Sequence, residues 1–151
     1  MADMPTPEYI PTYSIKDAYK RGKVFMNRAN KKLGKLTPQS PEDRRFRSCF
    51  GIPAEVFIVV WDRMRALDLI PVGGVLNHYF WALIFMNLYP ENENELCALC
   101  GGIDPKTFRK WAWPFIEAMH ELSYTVVSKS AKFFYYYFLI IHLTQFELDF
   151  V

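Results

Sequence analysis

Cysteine is scarce in this chain: Cys49, Cys97 and Cys100 are the three present in 151 residues. An odd, sparse set builds no disulfide framework, and no apolar stretch precedes a small-residue cleavage site near the N-terminus. Both features predict an intracellular, reduced protein. Long hydrophobic runs are also short supply. Phe133 to Leu143 (FFYYYFLIIHL) is the run to weigh against a membrane span, and its eleven residues include three tyrosines and His142. That falls well short of the roughly 20 residues a spanning helix needs, so no transmembrane segment is expected. Glycine-rich phosphate loops, nucleophile elbows and internal repeats are absent as patterns. Asp62, Glu117 and His120 are scattered, so no catalytic residues, small-molecule substrate or cofactor are expected.

Aromatic and apolar residues are plentiful. Hydrophobic residues make up 51% and aromatics 17% of the chain, enough for one domain with a real core. The formal net charge of +2 conceals a strong asymmetry. Between Lys16 and Arg47 stand eleven Lys and Arg against three acids, while the remainder is net acidic. Such a block suits a polyanion, either nucleic acid or an anionic membrane surface; the bland alternative is a solvated basic arm.

Punctuation along the chain predicts an all-α fold, a small helical bundle. Pro5, Pro7 and Pro11 mark residues 1–12 as a disordered lead. A basic helix from Ser14 to Leu33, capped by Ser14, carries only a patchy stripe of Ile15, Ala18, Tyr19, Val24 and Phe25. Residues 1–38 are therefore expected to be a flexible basic arm. Ser40 caps a helix from Pro41 to Phe50, which Gly51 ends. After Pro53, the positions Val56, Val60, Met64 and Leu67, with Phe57 and Trp61 alongside, define an amphipathic helix. Val75 to Tyr89 is apolar nearly all round and reads as the central helix, stopped by Pro90. A short helix in ENENELCALCGG and another from Asp104–Pro105 follow, with a kink or break expected near Trp113 because of Pro114. Residues 39–124 form the predicted domain. Residues 125–151 are a hydrophobic tail of different character, compatible with a strand, a buried helix, or sequence foreign to the fold.

CALCGGIDPKTFRKW, residues 97 to 111, carries the functional question. One Cys-x-x-Cys pair is too few ligands for structural zinc, and His78, His120 and His142 stand alone, so no metal site is expected. A helix-turn-helix accounts for the same residues better. Ala98 supplies the small residue of the first helix and Gly102 the turn glycine. Ile103, Phe108 and Trp111 fall at core-facing spacings, and Cys97 becomes a buried small hydrophobe. Gly101 departs from the pattern, which usually has an apolar residue there. Lys106, Thr107, Arg109 and Lys110 are left outward, where they suit phosphates and base edges of double-stranded DNA. From Pro105 to Trp113 the helix is about 13 Å long at roughly 1.5 Å per residue, enough for one groove contact. A helical hairpin with a solvated basic face is the alternative.

RRFRSCFGIPAEVFIVVWDRM and FWALIFMNLYPENENELCALCGGIDPKTFRKWAWPFIEAM resemble the N-terminal helical region of Harbinger-like DDE transposases. The resemblance covers about Arg44 to Leu122, and KTFRKW is its most specific part. It implies DNA binding and a nuclear location; the turn motif and the basic block add Arg44, Arg45 and Arg47 as candidate backbone contacts, and the weakness of a lone helix-turn-helix makes a homodimer the candidate assembly. In that family an RNase H-like catalytic domain follows, whose three acidic residues hold two divalent ions. Here 29 residues follow Leu122, with Glu147 and Asp149 as their acids, too few for that site. The expectation is a transposase-derived, catalytically inactive DNA-binding module with no cofactor. The competing expectation is a membrane-surface or protein-interaction module using the basic arm and aromatic tail.

Overall fold

A computed structural model describes residues 13–89 and 91–126. Among them helices are the regular structure and there is no strand, with α1 at Ile15–Gly22, α2 at Pro41–Phe50, α3 at Ala54–Ala66, α4 at Leu76–Leu88, α5 at Glu93–Leu99 and α6 at Pro105–Val126. The all-α bundle expected from the sequence is what forms. The expectations for residues 1–12 and 127–151 lie outside the described residues.

Local chemistry sets the helix ends. Ser14 and Asp17 form a reciprocal capping box, the Asp17 N–H donating to Ser14 Oγ at 3.1 Å and the Ser14 N–H to Asp17 Oδ2 at 2.9 Å. Ser40 caps α2 ahead of Pro41, and Gly51 closes it in the left-handed region at φ 78°. A side chain at Gly51 would also collide with Asn87, whose Oδ1 lies 2.8 Å from where a Cβ would stand. Asn87 is held there because its Nδ2 donates to the carbonyls of Ser48 (2.8 Å) and Cys49 (3.1 Å), the orphan acceptors at the end of α2. One side chain thus joins the end of α2 to α4.

α4 is the axis of the bundle. Leu76, Tyr79, Phe80, Ala82, Leu83, Ile84, Phe85 and Met86 are all buried, and α2, α5 and α6 pack around it. Phe57 of α3 stacks between two consecutive rings of α4, with centroids 4.4 Å from both Tyr79 and Phe80. Phe46 and Phe50 of α2 close the cluster, 4.6 Å from each other, with Phe50 4.8 Å from Phe80. Tyr79 turns its hydroxyl to the Phe57 carbonyl at 3.1 Å, satisfying its one polar atom within the core.

Three sequence expectations are corrected. First, residues 15–25 are not a separate flexible arm. Ala18, Tyr19 and Phe25 are buried, Tyr19 lies 5.3 Å from Phe46, and Phe25 lies 5.2 Å from Phe80. The patchy stripe was short because the helix is short: it ends at Gly22, not Leu33, where a Cβ would press on the rings of Phe46 and Phe50 at 3.0 Å. Second, of the kink or break expected near Trp113, the break does not occur: α6 continues through Pro114 as one helix. The local cost of an interior proline, about 3 kcal/mol, is outweighed by burial of Phe108, Ala112, Phe115, Ile116 and Met119 on one continuous face. Third, Leu67 lies half exposed beyond the end of α3, so the apolar stripe of that helix stops at Met64.

The packing of α1 is testable at Tyr19, which is 1% exposed and whose hydroxyl has no hydrogen-bond partner. Burial pushes its pKa up to about 12, with Glu55 and Asp43 adding to the shift. Tyr19→Ala is expected to cost about 3 to 5 kcal/mol in urea unfolding. Tyr19→Phe, which removes only the unpartnered hydroxyl, should be neutral or stabilising by up to about 1 kcal/mol. A detached arm would leave both variants at the parental midpoint.

Candidate nucleic-acid interface

The turn between α5 and α6 is made by two glycines in left-handed conformations, Gly101 at φ 98° and Gly102 at φ 75°. The Gly102 N–H reaches back to the Cys97 carbonyl at 2.9 Å and closes α5 in a Schellman-type cap. Gly101, the departure from the usual pattern, is explained by that backbone: nothing crowds a Cβ there, and the positive φ alone calls for glycine. Asp104 then starts α6. The Thr107 N–H donates to its Oδ1 at 3.1 Å, and the Thr107 hydroxyl donates to its Oδ2 at 2.6 Å. These bonds hold the Asp104 carboxyl below its ordinary pKa. The two segments are separate helices, so the pair of helices and tight turn read from the sequence are present.

The contact between them differs in detail from the sequence reading. Ala98, expected as the small residue at the crossing, is exposed; Leu96, Cys97 and Cys100 are buried instead. Phe108 is fully buried between Phe85 (5.9 Å) and Trp81 (6.4 Å) of α4. Ile103 and Trp111 are half-buried, and Trp111 lies flat on His78 at 4.2 Å and 8°. His78 itself accepts the Val75 N–H at Nδ1 (3.2 Å), so it serves as the cap of α4. Burial raises both thiols of the Cys-x-x-Cys pair, Cys100 to about 12, which keeps them protonated at neutral pH. Both behave as packing residues.

The outward side chains fall into two groups. Lys106 and Lys110 are exposed, and Lys110 rests its Nζ 5.3 Å over the Trp111 ring. Arg109 is exposed but engaged: its Nε lies 2.9 Å from Glu93 Oε1 of α5 and donates to the Pro105 carbonyl at 3.2 Å. With 56% and 35% exposure of the two side chains, that ion pair contributes at most about 1 kcal/mol. Thr107 is half-buried and its hydroxyl is spent on Asp104, so it does not project as an open contact. Glu91 and Glu95, at the start of α5, are close enough for Glu91 to raise the pKa of Glu95. The first turns of α6 therefore carry cations beside an acidic neighbour.

On α2 the arginines have structural partners that spacing alone did not reveal. Glu42 and Asp43 are 4% and 1% exposed because they hold the loop before the helix. Glu42 accepts the Gly34 N–H at 3.2 Å, and Asp43 accepts the Gln39 N–H at 2.9 Å. Arg45 lies 4.0 Å from Glu42 and Arg47 3.1 Å from Asp43, compensating those covered carboxylates. Arg44 gives only its Nε, to the Gln39 carbonyl at 3.2 Å. Nor do the two basic groups share one strip. Phe80 and Asn87 of α4 meet α2, whereas His78, Trp81 and Phe85 meet α6. At about 100° per residue those sets are centred roughly 140° apart.

No family model matches this chain, and no curated protein or solved structure matches it.

The Asp104 cap predicts an acid-limb signature. Its carboxyl titrates lower in the folded chain than in the unfolded one, so its stabilisation is present above about pH 4 and is lost as pH falls through the folded value. Asp104→Asn, which caps without titrating, should show a shallower loss of stability below about pH 4 in denaturation series. An unchanged acid slope would mean that the Thr107–Asp104 bonds do not form in solution.

Proposed function

We propose that this chain is a DNA-binding module built on the α5–α6 helix-turn-helix, related in origin to the N-terminal region of Harbinger-like DDE transposases and without a catalytic role. The observation that carries the reading is the exposed trio Lys106, Arg109 and Lys110 on the first two turns of a helix whose opposite face, Phe108, Ala112 and Phe115, is buried. A rigid helix start with cations on the solvent side is the arrangement by which such motifs enter a major groove. Lys106 and Lys110 approach phosphates as point charges, and the Arg109 guanidinium exchanges its Glu93 contact for phosphate or a guanine edge. The α2 arginines expected as backbone contacts add little to this surface: Arg45 and Arg47 are compensated by Glu42 and Asp43, and Arg44 stands with them on another flank of α4. The protein acts in the nucleus, and pairing into a homodimer supplies the affinity that one short helix lacks.

The membrane-surface alternative has less support. Ala18 and Tyr19, the apolar side of α1, face the core and leave that basic helix little to insert. No helix among the described residues is long and apolar enough to cross a membrane.

Duplex binding followed by fluorescence anisotropy across a salt series tests the proposal. Lys106→Ala/Lys110→Ala should weaken binding and reduce the slope of log K against log salt by about 1.8, the value of two phosphate contacts. Glu93→Gln, which releases Arg109, should tighten binding severalfold. Absence of binding at low salt, or a slope unaffected by the double substitution, contradicts the assignment.

A further inference from the structure

An open groove of about 620 Å³ lies between the turn after α1 and the outer face of α2. Met26, Asn27, Arg28, Arg44, Arg45, Ser48 and Cys49 line it, so three arginines and no acidic residue border one concavity. Gathering like charges is unfavourable unless an anion answers them. The nearest compensation is slight. Arg45 has Glu42 at 4.0 Å, already bonded to the Gly34 N–H, and its Nη1 is covered without a hydrogen-bond acceptor. Arg44 has only the neutral Gln39 carbonyl, and no ion pair is formed by Arg28 among the described residues. The Cys49 thiol, pushed up to about 11 by burial, adds no negative charge.

The groove is also held in shape. Asn27 sits in the left-handed region at φ 56°, the Arg28 N–H donates to the Lys23 carbonyl at 2.9 Å, and Lys23 Nζ donates to the Lys31 carbonyl at 2.9 Å. On the other wall, Arg44 and Ser48 are four residues apart on one helical face. The end of that helix is fixed to α4 through Asn87. Arginines lining one groove with a hydroxyl and an amide beside them supply the donors that phosphate oxygens accept.

We propose that the Arg28–Arg44–Arg45 groove is a seat for a phosphate group, separate from the α6 surface and independent of the reading given to that surface. Arg28 and Arg44 supply the charge-assisted hydrogen bonds, Ser48 Oγ adds a donor, and Arg45, braced by Glu42, completes the positive wall. Arg47 is excluded, since Asp43 holds it at 3.1 Å. The phosphate is either free, as inorganic phosphate, or a diester in a DNA backbone crossing the open groove.

The test follows the arginine Nε–H signals of the full chain by nitrogen-15 nuclear magnetic resonance, first with inorganic phosphate and then with a short DNA duplex. Saturable movement of the Arg28 and Arg44 signals with inorganic phosphate identifies a free-phosphate seat. Movement only with the duplex identifies the diester. In either case Arg28→Ala/Arg44→Ala should weaken that binding by about tenfold or more, the value of one charge-assisted hydrogen bond. Arg44→Lys should recover part of it, and thermal unfolding checks that each variant folds. Lys106→Ala/Lys110→Ala should leave the groove signals responsive, which separates this seat from the α6 surface. Signals indifferent to both probes, or a double arginine variant that binds as the parent does, overturn the proposal, whatever the α6 variant shows.

Discussion

Burial of α4 on nearly every side is the constraint from which the rest of the structure follows. Phe80 and Tyr79, adjacent in sequence, point to different sides of that helix, and Phe57 stacks against both. A helix buried on nearly all sides, with Asn77 its one exposed residue, must be surrounded, so α2, α5 and α6 are recruited around it and α3 reaches its rings. Aromatic contacts of this kind add about 0.5 to 1.5 kcal/mol each beyond area burial, a large fraction of the stability of one small domain. α1 joins the same cluster through Tyr19 and Phe25. The consequence for function is positional: each outer helix spends its apolar face on the core and is left with its charged face outward.

What those outward faces carry is then edited by local electrostatics. Glu42 and Asp43 are covered because they satisfy backbone donors in the loop before α2, and covered carboxylates draw cations to them. Arg45 and Arg47 answer that need. Glu93 does the same, more weakly, for Arg109. The basic residues of the basic block and of α6 thus divide into cations that balance the protein's own acids and cations that remain uncommitted. Lys106 and Lys110 on α6, with Arg28 and Arg44 at the α2 groove, belong to the second kind, and they occupy different flanks of α4. The proposed DNA contact and the proposed phosphate seat are therefore two separate uses of surplus charge.

Helix order was legible because caps are local. Ser40–Pro41 and Asp104–Pro105 mark the starts of α2 and α6 at the residue, and Gly51 marks an end, since one or two residues decide each. The central helix was legible from its all-round apolar character. The fate of α1 was not: a stripe of three or four residues reads as weak until Phe46, Phe50 and Phe80, far along the chain, are known to receive it. The continuity of α6 through Pro114 was hidden for the same reason, since a local penalty is visible in sequence and the tertiary burial that outweighs it is not. At the site, the exposure of Lys106 and Lys110 followed from helical spacing. The ties of Thr107 to Asp104 and of Arg109 to Glu93, and the partnership of Arg28 with Arg44 across an irregular segment, had no periodic signal to reveal them.

Differential amine labelling of the lysines, with and without duplex DNA at low salt, tests the central claim most directly. The uncommitted cations at the start of α6 are the proposed contact surface, so Lys106 and Lys110 should be protected by duplex while Lys16 and Lys20 on α1 label at an unchanged rate. Full reactivity of Lys106 and Lys110 in the bound state, with protection elsewhere, would contradict the account.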